Sequence, residues 1–185
     1  GTTNQEAISR VPGTSLLAVN GVGVSDSITE AFVNIRSGTA AGLVARYSGP
    51  GDKRMYAAMV ARNGGGFIGR IWRNTGTTWT SLASGPLPAA SGVLRFEVIG
   101  VSLTLFYNGV RIAAVYDSAL PGPGGVGLRT VGAGCSADNY SAVAPTPPVP
   151  TTVTLPFSDT FEGPDTTYVS GNWTKQIGNI TQTAN

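Results

Sequence analysis

Apolar and polar residues alternate along most of this chain with a period of two, the signature of strands that bury one face. Residues 27–36 (SITEAFVNIR) alternate, with Ile28, Phe32 and Glu30 falling on one side. Residues 41–47 (AGLVARY) follow a Ser-Gly-Thr turn, and residues 53–62 (KRMYAAMVAR) precede the turn Asn63-Gly64-Gly65-Gly66. Residues 67–73 (FIGRIWR) put Phe67, Gly69, Ile71 and Arg73 on one face and Ile68, Arg70 and Trp72 on the other. Residues 77–83 complete a hairpin across Asn74-Thr75-Gly76.

A second group begins at residues 93–99 (VLRFEVI). Leu94, Phe96 and Val98 share one face there, and Arg95 with Glu97 the other, as an expected surface pair. Residues 101–107 and 111–117 flank Asn108-Gly109, the strongest short hairpin signal in the chain. Residues 125–130 and 138–143 read as closing strands. A strand every 8–12 residues or so, with no sustained helical period, predicts an all-β, two-sheet antiparallel jelly-roll sandwich over residues 1–143.

Residues 144–152 (APTPPVPTT) break the pattern. Four prolines remove ladder donors and favour extended polyproline II, about 28 Å long at full stretch. The body's radius of gyration should be roughly 14–15 Å, so this linker reaches across its own domain or to a neighbouring one. Strand character returns in residues 153–161 (VTLPFSDTF) and 173–183. A tail of about 33 residues cannot bury a core alone and needs something to pack on.

Composition agrees with a β-protein: 26 Gly, 12 Pro and 12% charged residues, yet 41% apolar. The formal charge is +2 with the basic residues scattered, which argues against nucleic acid as a partner. No apolar run approaches the length of a membrane span. The sequence shows no signal peptide; the low charge and the Thr/Pro linker lead us to expect an exported, extracellular protein whose signal has been removed. A lone cysteine, Cys135, excludes an intrachain disulfide and is expected to be a small buried apolar residue.

Several motifs together resemble a known family. Gly42-Leu43-Val44-Ala45-Arg46-Tyr47, Ile71-Trp72 and Leu94-Arg95-Phe96-Glu97-Val98 come first. Leu105-Phe106-Tyr107-Asn108-Gly109, Gly125-Val126-Gly127-Leu128-Arg129 and Asp138-Asn139-Tyr140 follow. In this order they resemble concanavalin A-like jelly rolls of the laminin-G-like kind, found in tandem in large bacterial surface proteins. Members of that family open with Phe-x-Asp-x-Phe, then Asn-Trp, then a Gly-Asn strand. Here that opening stands at the C-terminus, as Phe157-Ser158-Asp159-Thr160-Phe161, Asn172-Trp173-Thr174 and Gly178-Asn179-Ile180. The resemblance implies a circularly permuted order, with Leu16 to Asn20 continuing the opening.

Three arrangements fit: a tail that completes its own domain, a tail donated to the next subunit, or one repeat cut from a tandem array. The stiff spacer favours donation. The leading expectation is an extracellular filament subunit that polymerises head to tail with copies of itself. In it, Phe157, Phe161, Trp173 and Ile180 fill the acceptor core. The alternative is a carbohydrate-binding adhesin module whose tail completes its own domain.

Catalysis is not expected. Sugar-cleaving relatives of the fold carry paired carboxylates on one strand; here each interior strand carries at most one, and a lone Glu30 pointing inward would not serve. The chain has no His, which leaves Ser and Cys without a recognisable base and makes zinc improbable. The resemblance implies at most a structural calcium at Asp138 and Asp159, with Glu162 or Asp165; hydrogen-bonded turn aspartates are the simpler reading. Trp72 and Trp79, with Tyr47, Tyr56 and Tyr107, are the aromatic candidates for a glycan site, set against ordinary core packing. Asn139, Asn172 and Asn179 match the N-glycosylation pattern, and Thr146, Thr151 and Thr152 in or beside the prolines are candidate O-glycosylation sites.

Overall fold

The computed structural model describes residues 6–146, 149–161 and 170–173. The chain divides into two units, Gly1–Ala144 and Pro145–Asn185. The first is the sandwich. Its strands are β1 (Ala7–Ile8), β2 (Thr14–Ala18), β3 (Ser27–Asn34), β4 (Ala40–Tyr47), β5 (Met55–Asn63) and β6 (Gly66–Asn74). They continue with β7 (Trp79–Leu87), β8 (Ser91–Ile99), β9 (Ser102–Tyr107), β10 (Val110–Tyr116), β11 (Gly125–Val131) and β12 (Ser136–Val143). One six-stranded sheet runs β1-β12-β3-β8-β9-β10, and the facing six-stranded sheet runs β2-β11-β4-β5-β6-β7.

The core between the sheets follows from strand parity. On β3 the inward residues are Ala31 and Val33; on β8 they are Leu94, Phe96 and Val98; on β9, Leu103 and Leu105. Leu43, Tyr56 and Ile71 meet them from the other sheet. Each large side chain so buried contributes about 1.5–3 kcal/mol. Asn108 and Gly109 both take positive φ, 50° and 80°, as the tight turn between β9 and β10 requires. The Asn108 side chain accepts a hydrogen bond from Val93 N at 2.8 Å. Cys135 is fully buried, as expected, and burial raises its thiol pKa.

Three features depart from or add to the expectations. Strands β1 and β2 were not foreseen, because β1 is two residues long and β2 lies in a segment with weak alternation. Glu30 does not point inward: it shares the outer face with Ile28 and Phe32, because Ala31 and Val33 take the core positions. Glu97 pairs with Arg95 but is no surface residue, being 2% exposed, while Arg95 lies over the Phe106 ring.

One end of the sandwich is pinned by Arg46, which is 4% exposed. Its guanidinium donates to Ser25 O at 2.7 Å, to Leu120 O at 2.8 Å and to Gly100 O. Asp26 Oδ1, 3.4 Å away, supplies the countercharge and itself accepts from Gly100 N at 2.9 Å. A buried charge is tolerable only with this degree of pairing.

The second unit contains no strand among its described residues, so residues 153–161 form none within the single chain. The physical reason lies in local chemistry. Pro150 and Pro156 withhold amide donors. Asp159 Oδ1 accepts from Phe161 N at 2.9 Å, an Asx-type turn, and Phe161 takes φ 55°. The backbone hydrogen bonds go elsewhere, as from Thr151 N to Gly171 O at 2.8 Å.

Candidate functional site

The outer face of the β2-to-β7 sheet carries an apolar cluster of its own. Strands β4 and β5 alternate inward side chains with a second apolar set of Ala40, Val44, Met55, Ala57 and Met59. These outer residues are mostly small, so they make a low floor. Trp72 on β6 and Trp79 on β7 rise beside it. Their rings meet edge to face with centroids 6.4 Å apart, a favoured quadrupole arrangement. Arg70 lies over the Trp72 ring at 5.7 Å.

Arg129 on β11 closes the opposite wall. Its guanidinium sits 4.6 Å from the Trp79 centroid and makes a two-pronged ion pair with Asp52, Nε to Oδ1 at 2.7 Å and Nη2 to Oδ2 at 2.6 Å. Such a fork fixes the planar cation and leaves Nη1 as the donor for another partner. Floor and walls enclose a hollow of about 200 Å³ lined by Met59, Ala61, Trp72, Trp79, Arg129 and Val131 among others. An apolar hollow with a few fixed polar groups is the usual form of a small-ligand site.

The structure thus brings Trp72 and Trp79 together and adds Arg129, Asp52 and Arg70, which the sequence reading missed. Asp52 lies in a Gly-Pro-Gly turn segment 77 residues from Arg129, and no local pattern announces such a pair. Tyr47 packs against the same outer cluster. Tyr56 and Tyr107 face the core instead. The Tyr56 hydroxyl donates to Asp117 Oδ1 at 2.6 Å and accepts from Leu120 N at 3.1 Å; burial and then the Asp117 bond push its pKa up to about 12. Arg73 also binds Asp117, so this trio braces the connection after β10.

Several other carboxylates have similar structural duties. Glu6 is held by Arg36 at 2.5 Å, Asp26 by Arg46, and Glu97 by Arg95. Asp138 Oδ1 accepts from Asn139 N at 2.7 Å. Asp159 accepts from Trp173 Nε1 at 2.8 Å and Ser170 Oγ at 3.1 Å besides Phe161 N, and these bonds hold its pKa below the usual carboxylate value. Among the described residues no group of three or more His, Cys, Asp or Glu side chains gathers to hold a metal. Asp138 lies on β12 and Asp159 in an Asx-type turn, each engaged by the hydrogen bonds given above; Glu162 and Asp165 lie outside the described residues.

Of the proposed donor anchors, Phe157 and Phe161 both pack on Trp173, with centroids 5.7 and 5.6 Å away; Ile180 lies outside the described residues. Asn139 is exposed on β12 at φ 53°. Asn172 is exposed and accepts from Thr151 Oγ1 at 2.7 Å, Thr146 and Thr152 are exposed, and Asn179 is outside the described residues.

No protein-family model matches the chain, and no curated protein matches it either. Solved structures do. The carbohydrate-binding module CBM66 of Bacillus subtilis is 19% identical, with a TM-score of 0.64 over 76% of this chain and 91% of that one. A galectin of Caenorhabditis elegans, LEC-6, is 14% identical at TM-score 0.51, over 75% of this chain and 95% of that one. The fold is a galectin-like, concanavalin A-like jelly roll. The GH43 protein BlXynB of Bacillus licheniformis also matches, at 15% identity and TM-score 0.53 over 65% of this chain, but over only 28% of its own length.

Proposed function

We propose that this chain is a non-catalytic carbohydrate-binding module that works outside the cell and holds a glycan against the Trp72–Trp79 face. The observation that carries the reading is the arginine-braced tryptophan pair around the outer hollow. A pyranose carries polarised C–H groups on one face and hydroxyls around its rim. Aromatic faces attract the former through their quadrupole, and a fixed guanidinium donates to the latter. The descriptions of the similar structures, a carbohydrate-binding module and a galectin, support the same class. They lend no support to a filament subunit, the leading expectation from sequence.

The test is affinity electrophoresis through gels cast with a panel of plant, fungal and bacterial polysaccharides, with calorimetry on any that retards the protein. Trp72→Ala and Arg129→Met should each weaken binding at least tenfold while far-UV dichroism stays unchanged. Retardation by no polysaccharide, or binding that survives both substitutions, overturns the assignment.

A further inference from the structure

The two sheets differ in charge. The six strands of the β2-to-β7 sheet contain Arg46, Arg62, Arg70, Arg73 and Arg129, and no Asp or Glu. The facing sheet mixes both signs, with Glu30, Glu97 and Asp138 beside Arg95 and Arg111. Carboxylates from connecting segments answer three of the five arginines: Asp26 pairs with Arg46, Asp117 with Arg73 and Asp52 with Arg129. Arg62 donates to Gly38 O at 3.2 Å and to Arg36 O. Arg70 makes no ion pair among the described residues, and its guanidinium lies over the Trp72 ring.

Strand register puts this cation on the tryptophan face. One row across the sheet runs Arg129, Gly42, Met59, Arg70 and Ser84. Gly42 has no side chain, and Met59 lines the hollow, so the row has a low centre with a guanidinium to either side. Ring contacts join the same two cations above it. Arg129 is 4.6 Å from the Trp79 centroid, Trp79 is 6.4 Å from Trp72, and Trp72 is 5.7 Å from Arg70. A sugar ring lying on the indoles has a cation on each flank.

The two cations are not equivalent. Asp52 offsets the charge of Arg129 and leaves Nη1 as a hydrogen-bond donor, which suits a neutral hydroxyl. Arg70 keeps its full charge. A cation over an exposed indole gains only about 0.5–1 kcal/mol, so the guanidinium still has its charge to offer an anion. Its planar fork matches a carboxylate through two parallel N–H···O bonds.

We infer that the glycan held on this face is an acidic one: its sugar ring lies on Trp72 and Trp79, and a uronic acid carboxylate meets Arg70. The inference rests on the carbohydrate-binding reading above and adds a ligand class to it.

The test compares polygalacturonate, alginate and hyaluronan with the neutral ester of each, by affinity electrophoresis and calorimetry on the full chain. At least one acid should bind about tenfold more tightly than its ester at low ionic strength, and the gap should narrow as salt is added. Arg70→Gln should close the gap by weakening the acid more than the ester, whereas Arg129→Met should weaken both alike. Arg70 gives up no ion pair in this change, and an unaltered urea midpoint would confirm that the fold stands. Acid and ester bound equally overturn the inference and leave the carbohydrate reading in place. A gap that survives Arg70→Gln overturns it too, as does dextran sulfate bound as tightly as the best acid, since bare charge would then suffice. A chain that binds neutral polysaccharides and none of the acids overturns this inference alone. A chain that binds no polysaccharide of either kind overturns both.

Discussion

At the scale of single residues, the buried phenols make the sandwich sensitive to alkali. Burial raises the Tyr140 pKa to about 12, against about 10 in an unfolded chain. A group whose folded pKa is raised favours the folded state fully below its unfolded pKa, and that contribution is lost as pH climbs towards the folded value. Stability should therefore fall between about pH 10 and about pH 12, with Tyr56 adding to the effect. Because the Tyr140 hydroxyl is buried without a partner, Tyr140→Phe should raise stability at neutral pH by about 1 kcal/mol and move the alkaline transition upward, both read from urea melts across pH. A loss of stability would mean that the hydroxyl is satisfied. Residue chemistry was legible where it is local. The tryptophans stood out as candidates, whereas the Arg129–Asp52 fork depends on the register of β11 beside β4, which no short window of sequence encodes.

At the scale of elements, close strand approach sets the tightest constraint. A Cβ on Gly42 would fall 1.9 Å from Ala58 O, so Gly42→Ala must push β4 from β5. The expected cost is about 3 kcal/mol, measurable as a lower urea midpoint with an unchanged slope. The ten strands from β3 to β12 were readable from their alternation or apolar runs and, for most, from a Gly- or Asn-containing turn at the end. Alternation groups Ile28, Glu30 and Phe32 on one face of β3 without saying that this face is the outer one. Phe32 remains 39% exposed, and only contact with the second sheet separates it from Val33. Strand β1 was unreadable, since two residues carry no period. The segment after the linker alternates as well as β8 does, yet proline spacing and an Asx turn outweigh alternation when no partner strand is beside it.

At the scale of the whole molecule, twelve strands form a sandwich in residues 7–143 with no contribution from residues past Ala144 to either described sheet. The fold class was therefore open to sequence reasoning, and carbohydrate binding was reached only as the alternative: alternation reports which face is buried, whereas the outer hollow is made by what five separate strands leave uncovered. The Arg46 pin has a practical consequence for protein engineering. It fastens the β2–β3, β8–β9 and β10–β11 connections to one strand, whereas the hairpins at Gly64-Gly65 and Asn108-Gly109 at the opposite end bear no such tie. Four extra Gly/Ser residues between Gly64 and Gly65 should lower unfolding free energy by less than about 1 kcal/mol. The same insertion between Ser25 and Asp26 should cost on the order of 3 kcal/mol, because it strands a cation. Paired urea titrations would show the difference, and cargo loops belong at the Gly64-Gly65 hairpin.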